Sequence, residues 1–354
     1  MQSNIVRLEV GGRVYAGWTA ISITRSIEAI SGRFSLGLTE RWPGQPNVWP
    51  ILPEADCAVS IGDDPVITGQ VDQISPSFDA DNHSINASGR DRTGQMVDCS
   101  AMHAPGEWAG IRLDKLARIL AEPFGISVKS ETDVGDPWPI ERPFKLQPGE
   151  AAFDALNRAC RTRGVLAISD GVGGMVLTKP GQSRCNTALI QGQNVKSASL
   201  TSDIQERFST YIVRGSQPGT DYLDPEQSAA VEARATDAAM KTNRPTIILP
   251  DFAVDIATAR KYAQWAATIR AARAVSVQAT VQGWRQGNGE LWPVNALVNV
   301  DFPWLRVSGE MLISELTYSL DESGGTQTVM TLRRPDAFSP QPEQPADSDP
   351  LSGF

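Results

Sequence analysis

Two stretches of this chain repeat the same order of signals, and a chain that folds one β module twice has few architectures open to it. Ser22-Ile23-Thr24-Arg25-Ser26-Ile27-Glu28 is followed by Arg33-Phe34-Ser35, and Ser199-Leu200-Thr201-Ser202-Asp203-Ile204-Gln205 by Arg207-Phe208-Ser209. A second block follows each. One runs from Trp49-Pro50 to Arg90 and the other from Trp292-Pro293 to Arg333, 41 residues from Trp to Arg in both. Each block holds an alternating strand, an acidic turn (Asp79-Ala80-Asp81-Asn82, then Asp321-Glu322-Ser323-Gly324-Gly325) and a second strand closing on Arg. Alternation alone makes short β patterns look alike, so two unrelated β stretches are the rival reading. The retained order of both blocks favours a duplicated domain with different insertions. Three such chains would present six like modules, facing a sixfold ring on one side and a threefold partner on the other.

Composition bounds the rest. A length of 354 residues leaves room for about two or three domains. The net charge of −9 and pI near 4.9 oppose an electrostatic grip on nucleic acid, and sequence-specific binding is not expected. A negative wall would still let nucleic acid pass without retaining it. No apolar run reaches the 18 residues or so that a membrane span needs, so membrane insertion is not expected. Met1-Gln2-Ser3-Asn4-Ile5-Val6-Arg7 lacks the pattern of a secretion signal. Cys57, Cys99, Cys160 and Cys185 form no CxxC pair and are expected as reduced thiols.

The patterning predicts an α+β, mainly β fold: two similar antiparallel β-barrels with an α/β insert and a helical insert. Residues 1–97 read as the first barrel, with alternation at Ile21/Ile23, Phe34/Leu36/Leu38 and Val59/Ile61. Residues 98–182 read as an α/β domain. Leu113, Leu116, Ala117 and Leu120 mark one helix, and Phe153, Leu156, Ala159 and Cys160 a second that stops at Gly164. A hairpin turns at Asp170-Gly171-Val172-Gly173-Gly174. Residues 183–215 and 275–335 read as the second, discontinuous barrel, interrupted by a helical insert at 216–274. In that insert Asp255 caps a helix over 255–273. Its alanine-rich face predicts close packing, either within the chain or against another subunit. Residues 336–354 are rich in Pro and acid and read as a flexible tail.

No catalytic constellation emerges. His83 and His103 have no metal-ligand spacing, so neither a metal site nor a Ser-His-Asp relay is expected. The glycine cluster at 171–174 lies between two strands, where a phosphate cradle would need a following helix. Asp63-Asp64, Asp79/Asp81 and Asp321-Glu322 sit in turns, where Asp is favoured for backbone reasons. Trp42, Trp49, Trp108, Trp138, Trp292 and Trp304 lie in or beside loops, as interface anchors, barrel plugs or sugar platforms. No catalytic, cofactor-binding or metal residue is assigned, no cofactor is expected, and the chain is not expected to be an enzyme.

Three segments resemble a known family. Gly89-Arg90-Asp91-Arg92-Thr93-Gly94-Gln95-Met96-Val97-Asp98-Cys99-Ser100-Ala101 is similar to a signature of the Mu-like phage baseplate hub proteins. So is Pro148-Gly149-Glu150-Ala151-Ala152-Phe153-Asp154-Ala155-Leu156 with Arg158 to Gly164, and so are Ala259-Arg260, Trp265, Arg270 to Arg273 and Gly283-Trp284. The resemblance covers most of the chain to about residue 335. It implies a structural hub of a contractile phage tail, with a fold shared with the N-terminal part of type VI secretion spike proteins. It implies a homotrimer whose six tail-tube-like barrels adapt the hexameric tail tube protein to the trimeric central spike protein. A central channel would serve DNA passage, with an acidic lumen. Tape measure and other baseplate proteins are further implied partners. The implied location is the virion tail baseplate, assembled in the host cytoplasm. Two alternatives stay open on the residues alone: a tail-associated cell-wall hydrolase, and a carbohydrate-binding β module using Trp42 or Trp138.

Overall fold

The computed structural model describes residues 4–40, 51–80, 83–140, 143–215, 231–250, 254–339 and 341–342. The chain forms two compact units, one of residues 1–161, 165–200 and 277–332, the other of 162–164, 201–276 and 333–354.

The larger unit is built on one long sheet. β1 (Val6–Val10) and β2 (Arg13–Tyr15) form a hairpin. β3 (Ala20–Ser26), β4 (Arg33–Glu40), β5 (Asp56–Ile61), β6 (Asp64–Phe78) and β7 (His83–Asp91) follow. Period-two alternation sends Ile21, Ile23, Phe34 and Leu36 into the core and their polar neighbours to the other face. Next come the short helix α1 (Gly94–Asp98) and an α/β segment: β8 (Glu107–Trp108), α2 (Leu113–Ala121), β9 (Val128–Ser130), β10 (Phe144–Lys145), α3 (Ala152–Arg163), β11 (Leu166–Ser169) and β12 (Met175–Thr178). β12 lies between antiparallel β11 and parallel β9. Leu113, Leu116, Ala117, Leu120, Leu156, Ala159 and Cys160 share a buried cluster there, as their helical spacing predicts.

The second half of the long sheet comprises β13 (Ser183–Arg184), β14 (Leu189–Ile190), β15 (Val195–Ser202) and, after the intervening unit, β19 (Val275–Gln282), β20 (Ala296–Phe302), β21 (Val307–Asp321) and β22 (Gly325–Arg333). Its strand order answers the question raised by the repeat. The order β3-β4-β7-β6-β5 recurs as β15-β19-β22-β21-β20. β6 and β21 are both 15 residues long. Glu54 (φ 68°) and Asn295 (φ 61°), both left-handed, each donate an N–H to the matching strand, at Val71 O and Ile313 O. β21 and β3 pair antiparallel, joining the halves into one sheet of 14 strands.

Three expectations change. Closed barrels are absent from the described strand pairs: the sheet runs as an open path from β15 to β2. The repeat places Arg207-Phe208-Ser209 opposite Arg33-Phe34-Ser35, yet β19 takes the place of β4. The second β module was expected to run through residue 215, but β16 (Thr210–Gly215) pairs with β17 (Val231–Thr236) and β18 (Pro245–Ile248) in a separate three-stranded sheet.

That sheet belongs to the smaller unit, where helix α4 (Ile256–Arg273) packs on it. Asp255 caps α4, its carboxylate accepting from Thr258 N at 2.6 Å. That bond holds the Asp255 carboxyl below its ordinary pKa. Ala259 and Ala263 bury against Val213, Val231 and Val254, so the alanine face makes a tight contact within the chain. A flexible tail was expected from residue 336, yet the residues described there are folded. Residues 335–338 form a 3-10 turn with Ala337 fully buried. Arg273 Nε donates to Ala337 O (3.1 Å) and Trp265 Nε1 to Ser339 O (2.9 Å).

Candidate functional site

Residues with chemical potential are engaged in structure. His83 opens β7 and meets Phe78 edge-on at 6.2 Å, and His103 meets Trp108 at 5.9 Å. Among the described residues no group of His, Cys, Asp and Glu could hold a metal ion. In the 171–174 loop, Asp170 Oδ1 accepts from Val172 N and Gly174 N, both at 2.8 Å, which makes it a hairpin turn. Asp64 pairs with Arg285 at 2.7 Å. Asp321 accepts the backbone N–H groups of Gly324 and Ser323 and is held below its ordinary pKa by them. Burial pushes the thiols of Cys57, Cys160 and Cys185 up to about 12, so they stay protonated. Trp292 is buried, Trp108 and Trp138 pack on Phe144, and Trp304 is exposed. Trp42, Trp49, Asp81 and Asn82 lie outside the described residues, as does the tail from 343 onward.

The segment Gly89 to Asp98 is a structural lock. A Cβ on Gly89 would lie 2.1 Å from Gln70 O and 2.8 Å from the Phe34 ring. Only a residue without a side chain lets β6 and β7 close there. Asp91 is buried and accepts from Gly32 N, Thr93 N and the Thr93 hydroxyl. Burial raises its pKa, while these donors and Ser169 act the other way. Arg90 bridges Asp72 (2.8 Å) and Asp98 (2.6 Å), and holds the Asp98 carboxyl below its ordinary range. Arg285, which the sequence reading missed, does comparable work between the halves. Only 11% of its side chain is exposed, and it donates to Asp64, Ile61 O, Asn4 and Gly289 O.

What remains open is a pair of edges and one face. β15 ends the sheet and, among the described residues, has a strand on one side only. β6 is covered on one flank by β5 over Asp64–Gln70, and among the described residues its outer half from Gln73 to Phe78 carries β7 on the other flank alone. In β21 the equivalent flank is full: β20 takes Val307–Leu312 and β3 takes Glu315–Leu320. The solvent face of the sheet carries hydroxyls and amides alongside Arg33, Asp72 and Arg90. Ser77 meets Ser84 at 2.7 Å, Thr24 meets Thr317 at 2.9 Å, and Ser35 meets Asn86 at 3.0 Å. Open edges of this kind are free to pair with a further strand.

Comparison with known proteins agrees in kind. Residues 5–91 match the N-terminal domain of Mu phage baseplate assembly protein GpP-like proteins. Residues 93–179 match the second domain of gp44-like baseplate hub proteins, and 255–341 the fourth domain of GpP. Baseplate hub protein gp44 of Escherichia phage Mu is 31% identical over 341 residues, which cover 95% of this chain and 89% of gp44. The 43 kDa tail protein of prophage MuSo2 from Shewanella oneidensis superposes with a TM-score of 0.85 at 34% identity, covering 95% of this chain and 99% of that one. At the level of fold alone, the E. coli type VI secretion component c3393 superposes with a TM-score of 0.55 at 10% identity, covering 96% of this chain and 79% of that one.

Proposed function

Because this chain belongs to the Mu-like phage baseplate hub family, we propose that it works as a trimeric symmetry adaptor between a hexameric tail tube and a trimeric central spike. The coarse role is that of a phage tail baseplate hub, a structural protein of the virion tail. The finer reading rests on one observation: a single chain carries the same five-strand order twice. A homotrimer would then offer six equivalent modules to a tube while keeping threefold symmetry for a spike.

The reading also says how such a ring could pass DNA. The solvent face of the sheet would be the channel wall, with Ser22, Thr24, Ser35, Asn86, Ser88 and Thr317 turned inward. Among these hydroxyls and amides that face also carries Arg33 and the paired charges of Arg90 and Asp72. Hydroxyls and amides offer water-bridged contacts to phosphates, and Asp72 and Asp98 offset the charge of Arg90, so ionic attraction to a duplex is kept low. The reading includes tape measure and other baseplate proteins as partners, assembly in the host cytoplasm, and a role without catalysis. The hydrolase alternative needs two carboxylates across a cleft. Asp64 and Asp321 are instead engaged with Arg285 and with turn N–H groups.

Light scattering on the purified chain tests the proposal. The expected mass is that of three chains, alone or on mixing with tube and spike proteins. A monomer under all of these conditions would refute it.

A further inference from the structure

We infer that the outer half of β6 in one copy receives β15 of the next, in a register already written inside each chain. This rests on the ring reading above and specifies its contact.

The template is the inner join of β21 with β3. Glu315 pairs with Ser26, Thr317 with Thr24, Ser319 with Ser22 and Leu320 with Ile21. Val71 and Ile313 hold the same place in their strands, since each carbonyl accepts from the left-handed residue before β5 or β20. Counting from them, Ser75 matches Thr317, Ser77 matches Ser319, and Phe78 matches Leu320. The side chains support that match: Ser77 shares the hydroxyl face, and Ile74, like Leu316, packs on the core. The repeat aligns Ser22-Ile23-Thr24 with Ser199-Leu200-Thr201. Transferring the inner register therefore sets Ser75 against Thr201, Ser77 against Ser199 and Phe78 against Ala198.

Three features fit this occupant. Phe78 is 84% exposed, whereas its counterpart Leu320 packs on the core cluster. Leu200 and Ile204 on the incoming segment are 38% and 47% exposed, whereas their counterparts Ile23 and Ile27 are buried. Ser75 with Thr201 would repeat the hydroxyl pair of Thr24 with Thr317. The outer join also differs in one respect. Ile27 N donates to Ser314 O, so alternate residues Leu316, Tyr318 and Leu320 turn their backbone polar groups toward β3. Pro76 matches Tyr318 and has no N–H, so the outer join forms one hydrogen bond fewer. Among the described residues its nitrogen also faces no strand, which is where a strand tolerates proline. A second copy is favoured over another protein because it presents a strand whose equivalent already fills this position in the same fold.

Cysteine cross-linking of the full chain tests the join. In a Cys99→Ser background, Ser77→Cys combined with Ser199→Cys should oxidise to covalent dimers and closed trimers. The yield should be at least about tenfold above that of either single variant, since the Cα atoms would fall within disulfide reach. Ser77→Cys with Lys196→Cys is out of register and should stay uncrosslinked. Phe78→Asp should weaken the trimer by about tenfold or more while leaving the melting temperature of the dilute chain unchanged. A trimer by light scattering that fails to cross-link at 77 and 199, or links at 77 and 196 instead, overturns this join and leaves the trimer reading standing. A chain that stays monomeric, with tube and spike proteins present, overturns both.

Discussion

At the scale of single residues, the segment around Gly89 shows why a sequence signature can be purely architectural. Phe34, Gln70 and Gly89 meet where two adjacent strand pairs leave no room for a Cβ. Gly89→Ala should therefore destabilise the larger unit by about 3 kcal/mol or more, through displaced backbone and a displaced ring. A urea titration followed by tryptophan fluorescence would read this, and a midpoint unchanged from the wild type would contradict the packing account. The tightness was not legible beforehand, because a glycine in a strand announces a close approach without naming what approaches. Arg285 was hidden for a related reason. Its partners Asn4, Ile61 and Asp64 lie more than 200 residues away in the chain, and no local pattern marks them. Asp255 was legible, because capping is decided within four residues.

At the scale of elements, regular spacing was read well and short motifs were not. The 41-residue span from Trp to Arg reported two matching hairpins, β6–β7 and β21–β22. The likeness of Arg207-Phe208-Ser209 to Arg33-Phe34-Ser35 was a coincidence of three letters. Phe34 is buried in the long sheet, while Phe208 sits beneath the guanidinium groups of Arg244 and Arg270 in the smaller unit. An insertion between β15 and β19 had displaced the true equivalent by about 70 residues, beyond the reach of a local comparison. The helix of that insertion depends on its start. Asp255→Ala removes the carboxylate that satisfies Thr258 N and should cost about 1 kcal/mol, read as lost helical signal in thermal melts. Asp255→Asn should restore most of it, and a null effect in both would show that packing on β16 and β17 sets the helix start instead.

At the scale of the whole molecule, the edges offered for assembly carry little charge. Gln73 to Phe78 and Ala198 to Thr201 hold no ionisable side chain. Dissociation of the proposed trimer should then change less than about threefold between 0.05 and 0.5 M salt, since screening acts on exposed charges. Sedimentation across that range would check it, and a steep salt dependence would place the contact elsewhere. The join of β21 with β3 has one more outcome. It is made within a single polypeptide, so its two strands never separate on dilution. A ring drawn from three such chains arrives with every second seam already sewn, and only the alternate seams answer to concentration.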